Sequence, residues 1–301
     1  MTATASSGIV AERGLFAPVL ALRRLALAWG PALPIIIVCS ATLILPCLVL
    51  TRASFAEATG TGFTLSNWTA VFSSKSAQVQ ILNSLQLCAV VATIAVIVGT
   101  PLTWTMTRLG RRGRAFNLGI LTVAQNFSGI GLAFGFTAAI GAYGMITLML
   151  RAGGLTFNPP AGSSFWGFVI AYEYGFVPMF VLMTLPAMRS IRPEWWDACQ
   201  CCGAGRLRFW ISIALPMLLP YIAAGWILTF TAAMSLYGLP VALAAEGRPI
   251  YPLITLDMSR TMLGSLFGSQ RMPVMAVILM IFAALSLVLY RILLKRGAKW
   301  L

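Results

Sequence analysis

Apolar residues in this chain do not alternate with polar ones. They gather into long runs, and the polar residues fall in short clusters between them. A half-buried strand would show a period of two, and a surface helix a period near 3.6. Runs of about 20 apolar residues instead suit helices that cross a bilayer, where each backbone polar group must be satisfied within its own segment. Six such runs stand out. The first falls within Leu25–Thr51 and the second within Leu82–Met106. The third covers about Phe116–Ile140, the fourth Ser164–Leu185, the fifth Met217–Leu239 and the sixth Pro273–Leu294. The pattern predicts an all-α, polytopic membrane protein with six transmembrane helices.

The uncharged stretch between Arg114 and Arg151 is longer than one crossing needs. It carries Gly129, Gly131, Gly135, Gly141 and Gly144 and the polar pair Gln125-Asn126. We expect one span, then a break, then a short interfacial segment ending at Arg151; a re-entrant element is the alternative. Residues 52–80 and 240–272 each have room for a short surface helix or turn, but not for a soluble domain. No internal repeat or low-complexity linker divides the chain, so residues 1–301 read as one transmembrane domain.

Composition agrees. The 301 residues are 59% hydrophobic and 9% charged, too little polar surface for a soluble domain of that length. The net charge of +14 raises the possibility of nucleic acid, but the basic residues sit in clusters between apolar runs, and no nucleic-acid partner is expected. Basic clusters between spans instead mark loops on the cytoplasmic side. One set of segments comprises the tail 1–24 (Arg13, Arg23, Arg24), "RLGRRGR" (Arg108, Arg111, Arg112, Arg114), the loop 188–216 (Arg189, Arg192, Arg206, Arg208) and the C-terminal stretch (Arg291, Lys295, Arg296, Lys299). It holds fifteen of the 21 basic residues, and the opposite set (Arg52, Lys75, Arg151, Arg248, Arg260, Arg271) holds six. Both termini and the loop 188–216 are therefore expected to be cytoplasmic. The N-terminus does not look like a cleaved signal peptide, because its apolar run follows about two dozen residues and is long enough to span.

The chain has six cysteines and no histidine. Cys39, Cys47 and Cys88 lie in apolar runs and read as small buried hydrophobes. Cys199, Cys201 and Cys202 form a C-x-C-C cluster, but nothing nearby completes a tetrahedral metal site. We expect no metal, no cofactor and no catalytic group. With seven acidic residues, most of them at loops or ends, an enzyme would lack its nucleophile–base pair.

The most mixed stretch is "EWWDACQCCGAGRLRFWISIALP", Glu194–Pro216. Pro193 suits a first helical position. Glu194 and Asp197 follow in the first turns, where the helix dipole favours acids. Gly203 suits the left-handed residue that ends a helix, and Gly205 adds a second flexible point. A helical pattern resumes at Phe209, Trp210 and Ile213, and Pro216 marks the join with the fifth span. The stretch predicts a short helix, a glycine break and a second helix entering the membrane. Ala198, Cys199 and Cys202 give the first helix a small-residue face for a cytoplasmic partner. An amphipathic helix lying on the inner leaflet, with Trp195 and Trp196 at the interface, fits the same pattern.

"DACQCCG", then nine residues, then "IALP" resembles the EAA motif of permease subunits in binding-protein-dependent ABC importers. Asp197 stands at the Glu position, Ala198 matches, and Cys199 replaces the second Ala; Gly203, Ile213, Leu215 and Pro216 match at full spacing. "FTLSNWTAVF", "NSLQLCAVVATIAVIVGTPLTWTMTR" and "LPAMRSIRPEWWDA" are similar to further segments of the family, closest to its polyamine, ferric iron, thiamine and aminophosphonate branch. "SLYGLPVAL" (Ser235–Leu243) lacks the acid that branch often carries there. The resemblance implies a type I importer permease fold with a cytoplasmic coupling helix, in a bacterial inner membrane. It implies cytoplasmic ATP-binding subunits that dock on the loop, a second permease subunit (a different chain rather than a copy), and a periplasmic or lipid-anchored solute-binding protein. The chain has no G-x-x-x-x-G-K-[ST] phosphate loop, so ATP would be used by the partner subunit.

For the solute path, Glu173 is the acidic residue well inside a span, and an intramembrane charge is a functional candidate by default. It meets a cationic solute, sits near the outer boundary, or pairs with an interhelical donor such as a tyrosine or an arginine from the partner subunit. Asn126, Gln125, Ser235, Tyr237 and Asn83 are further candidates, although polar residues in spans also serve as interhelical glue. A secondary transporter without an ATPase is the competing class; it usually shows two related halves, which this chain lacks.

Overall fold

The computed structural model describes residues 32–57, 62–127, 129–154, 161–245, 250–264 and 271–297. The tail 1–24, the start of the first expected span, Arg248 and Lys299 lie outside the described residues. Helix follows helix: α1 Leu33–Ser54, α2 Ser66–Ser73, α3 Lys75–Arg108, α4 Arg111–Asn126, α5 Ile130–Ile140, α6 Met145–Ala152, α7 Phe165–Met188, α8 Pro193–Cys201, α9 Arg206–Phe209, a π-helical turn Trp210–Ala214, α10 Leu215–Ser235, α11 Gly238–Leu243, α12 Ile254–Gly264 and α13 Arg271–Gly297. Six helical stretches are long and apolar enough to cross a membrane. α2 and α12 are the short helices expected in the segments 52–80 and 240–272.

Three crossings interlock at the centre. α7 packs against α3 and α10, and α13 against α10 and α1. The Phe180 ring of α7 is fully buried. It fills a notch between Gly99 of α3 and Gly225 of α10, where a Cβ on either glycine would come within 2.5 and 2.8 Å of it. Small residues allow this approach where lipid supplies no hydrophobic drive between helices. One turn on, the buried hydroxyls of Thr103 and Thr184 lie 3.1 Å apart. One donates across the interface, and the acceptor keeps its bond to its own helix, to Gly99 O or Phe180 O at 2.7 Å. The prolines inside these helices, Pro101, Pro178 and Pro186, are tolerated because neighbouring helices cover the weakened turns.

The bundle has two ends. At the loop end, α3 finishes at Arg108 and α7 hands over to α8. At the far end, the segment before α12 is tied to the start of α3. Ile254 N–H donates to Ser84 Oγ (3.0 Å), Asn83 Nδ2 to Pro252 O (3.1 Å), and the Tyr251 hydroxyl reaches Asn83 O and Gln86 Oε1. Burial raises the Tyr251 phenol above its ordinary value, which keeps it a donor. α1 stands apart, with most of its apolar side chains exposed, as suits a helix that faces lipid.

The third and fifth spans differ from expectation. Phe116–Ile140 is not one helix, because α4 and α5 part at Phe127–Gly129. Gly129 adopts φ +73°, a left-handed conformation open to glycine at little cost. The apolar stretch long enough to cross runs over Ile130–Ala152, and its own interruption at 141–144 is the break the glycines predict. Leu118 and Leu121 of α4 pack on Met106 of α3 and on Val181 and Leu185 in the loop-end half of α7, and Phe127 meets Tyr174 higher up. α4 thus climbs from the loop end, and the break falls in mid-bundle. The fifth crossing runs over Arg206–Ser235, so Pro216, in the first turn of α10, joins two parts of one continuous helix and does not mark where the span begins. The helix widens instead: Leu215 N–H bonds to Trp210 O, five residues back. A π turn makes room for the ring of Pro216, which would otherwise press on the carbonyl four residues before it. The helix ends at Ser235, and Leu239 belongs to α11.

Candidate functional site

Two groups of residues predicted from the sequence fall in two separate places. At the loop end, α8 begins with Pro193 at its first position and Glu194 in its first turn. It ends in a complete Schellman motif. Gly203 N–H donates to Gln200 O (2.8 Å) and Ala204 N–H to Cys199 O (3.0 Å), with Gly203 at φ +74°. No heavy atom lies within 4 Å of the position a Gly203 Cβ would take. The demand on this residue is therefore conformational, not steric. The exposed side chains of Asp197 and Ala198 and the half-buried Cys199 lie on α8; Cys201 and Cys202 are exposed, and all three thiols are free. Ile213, in the π turn, is half-buried, while Leu215 and Pro216 are exposed.

α8 is not a loose arm. Trp196 packs edge-on against Phe209 (5.4 Å), Phe209 adjoins Trp210 (6.4 Å), and Trp210 meets Trp104 of α3 edge-on at 4.5 Å. The Arg108 guanidinium lies 4.6 Å from the centre of the Trp104 ring, a cation–π contact. This row of rings links the loop helix to the last turns of α3 and the root of the fifth crossing. Trp104, Phe209 and Trp210 were not among the predicted site residues. Their position where spans reach the interface, which Trp favours, was the available signal.

The second place is mid-bundle. The α4–α5 break meets the α10–α11 break at Leu236-Tyr237. A Cβ on Gly238 would lie 3.7 Å from Gly129 Cα and from Ile130 Cγ1. Beside the two breaks is a cavity of about 190 Å3 whose lining includes Gln125, Tyr172, Gly175, Phe176 and Leu236. Gln125 is the predicted path residue that lines it. Asn126 is exposed and donates to Thr122 O (2.8 Å), and Ser235 donates to Ala232 O (2.9 Å). Tyr237 is exposed. Asn83 lies elsewhere, in the far-end tie.

Glu173 sits on the same turns of α7 as Tyr172, Gly175 and Phe176, but does not line the cavity. Both its carboxylate oxygens are buried, and neither has a hydrogen-bond partner among the described residues. A carboxylate so placed costs several kcal/mol unless something pairs with it.

Comparison with known proteins gives one family and one fold. The family model described as "Binding-protein-dependent transport system inner membrane component" matches residues 94–298. The spermidine/putrescine transport system permease protein PotB of Haemophilus influenzae is 23% identical over 200 residues, covering 64% of this chain and 70% of that protein. The molybdenum transport system permease protein ModB of Mycobacterium tuberculosis is 24% identical over 193 residues, covering 63% of this chain and 70% of that one. A chain in the crystal structure of a bacterial ABC transporter involved in the import of the acidic polysaccharide alginate superposes with a TM-score of 0.70 at 17% identity, over 94% of this chain and 99% of that one.

Proposed function

The chain belongs to the family of binding-protein-dependent transport system inner membrane components, and on that premise we propose that α8 is the element through which a separate ATPase drives it. It is a permease subunit of an ABC importer, a multi-pass inner-membrane protein. The observation that carries the coupling role is the construction of the loop. A short helix presents Asp197 and Ala198 outward, stops at a left-handed Gly203, and is bonded ring to ring with α3 and the fifth crossing. A push on α8 is then passed to two crossings as a rigid-body motion. In this scheme the loop and both termini are cytoplasmic and ATP is bound and hydrolysed by partner chains. A periplasmic or lipid-anchored binding protein delivers solute, and a second, different permease completes the path.

Gly203→Val tests the coupling. In vesicles with the partner ATPase, uptake should fall to background while the chain still inserts. Unchanged uptake and ATPase binding would remove α8 from this role.

For the solute, we favour a small cation. Glu173 supports this: its carboxylate is buried without a hydrogen-bond partner among the described residues, about a third of the way along α7, on turns that also line the mid-bundle cavity. Relatives are named for spermidine/putrescine, molybdenum and sulfate, so family membership leaves the charge of the solute open. Uptake of radiolabelled spermidine against molybdate by the assembled transporter decides it; uptake of molybdate alone would sink the cationic assignment.

A further inference from the structure

A cavity of about 470 Å3 opens at the loop end, between the last turns of α3 and α7 and the start of the fifth crossing. Four arginines line it, Arg108, Arg189, Arg192 and Arg206. All four are exposed, and no carboxylate pairs with any of them among the described residues. Four guanidinium groups brought together unpaired repel one another unless an anion joins them. Their planar forks suit the oxygens of a phosphate group. The volume is that of a small-molecule site.

The other walls say what the anion carries. Trp104, Trp196 and Trp210 line the same cavity, and Trp is the residue of the headgroup level of a membrane. Met188 and Thr107, also in the lining, belong to the final turns of two crossings. Leu207 and Ile211, on adjacent positions of the turns that supply Arg206 and Trp210, are 75% and 57% exposed. They offer apolar surface where an acyl chain would leave a headgroup. A soluble anion would need the arginines but not this greasy border.

We propose that this cavity is a binding site for the phosphate headgroup of an acidic phospholipid, seated between the loop helix and the ends of α3 and α7. Basic pockets between membrane helices bind such headgroups. The lipid would bridge Arg108 on α3 with Arg189 and Arg192 before α8 and Arg206 after it, holding the loop helix to the bundle by charge beside the row of aromatic rings.

The test is native mass spectrometry of the full chain released from neutral detergent, with phosphatidylglycerol or phosphatidylcholine added. Phosphatidylglycerol should be retained and phosphatidylcholine not. Arg189→Gln with Arg206→Gln should lower retention about tenfold or more, because charge-assisted contacts are lost. Arg291→Gln with Lys295→Gln, which removes equal charge outside the cavity, should leave it unchanged. Equal loss in both double variants would reduce the effect to surface charge and overturn the site. Retention of phosphatidylglycerol no better than phosphatidylcholine would leave the arginines to an acidic side chain of a partner protein, and overturns the lipid. A thermal shift by inorganic phosphate as large as that by phosphatidylglycerol would make this a free-anion site, and also overturns it. The melting temperature of each variant in detergent separates lost binding from lost folding.

Discussion

The loop end and the mid-bundle breaks are both made of interrupted helices, yet they are held in opposite ways. At the loop end the interruption is fully bonded. The Schellman motif satisfies the last carbonyls of α8, and aromatic rings run unbroken from Trp196 to Trp104. At mid-bundle the break between α4 and α5 faces the break at Leu236-Tyr237 next to a cavity, and the nearby Glu173 carboxylate has no hydrogen-bond partner among the described residues. In the proposed function, the first region transmits force without changing shape and the second belongs to a path that binds and releases a solute.

The largest break in this comparison is Gly203→Val. A β-branched side chain at φ +74° is strained wherever it has room, so the loop should refold and uptake should vanish. Gly203→Ala, costing roughly 1–2 kcal/mol in the left-handed conformation, should leave partial uptake at normal membrane levels. Next is Phe180→Ala. Emptying the notch between Gly99 and Gly225 should cost about 3–5 kcal/mol, read as a large drop in detergent melting temperature with both ends affected together. Glu173→Gln probes the other region alone. Losing a charge-assisted contact of about 1.5–3 kcal/mol should weaken a cationic solute roughly tenfold to a hundredfold. It should not lower the melting temperature, since the carboxyl makes no hydrogen bond among the described residues. A lower melting temperature with unchanged uptake would make Glu173 structural. Smallest is Tyr251→Phe, which removes the hydroxyl that joins Asn83 and Gln86. It should cost about 1 kcal/mol and leave uptake intact, because the far-end tie belongs to neither region.

The difference between the regions is also a difference in legibility. The loop was readable because its signals are local. Pro193, Glu194 and Gly203 act on backbone within a few residues of themselves, and the spacing of Asp197, Ala198 and Gly203 carries the family resemblance through to Ile213, Leu215 and Pro216. Even there Pro216 joins a π turn to an α-helix inside the fifth crossing and does not mark the start of the span. Whether a proline ends a helix or is absorbed in a wider turn depends on what the helix packs against, and Phe209 and Ala214 are buried. The mid-bundle was less legible. Gln125, Asn126, Ser235 and Tyr237 stand out as polar residues in apolar runs, but Gly129 is one glycine among six in an uncharged stretch. Its place against Gly238 brings together positions more than a hundred residues apart. Asn83 shows the reverse: a polar residue in an apolar run suggests the path, yet its amide is spent on Pro252 O at the far end.

The sequence by itself determined the class of molecule. Runs long enough to cross a bilayer, basic clusters between them and a correctly spaced loop motif need no partner residues to be recognised, because lipid forces each helix to satisfy its own backbone. Only the tertiary structure decided where those helices break, which polar side chains are consumed in packing, and that four arginines from three segments share one cavity with three tryptophans. Those facts depend on which side chains come within a few ångströms of one another, and inside a membrane, where apolar surface is everywhere alike, small residues and polar contacts choose the neighbours.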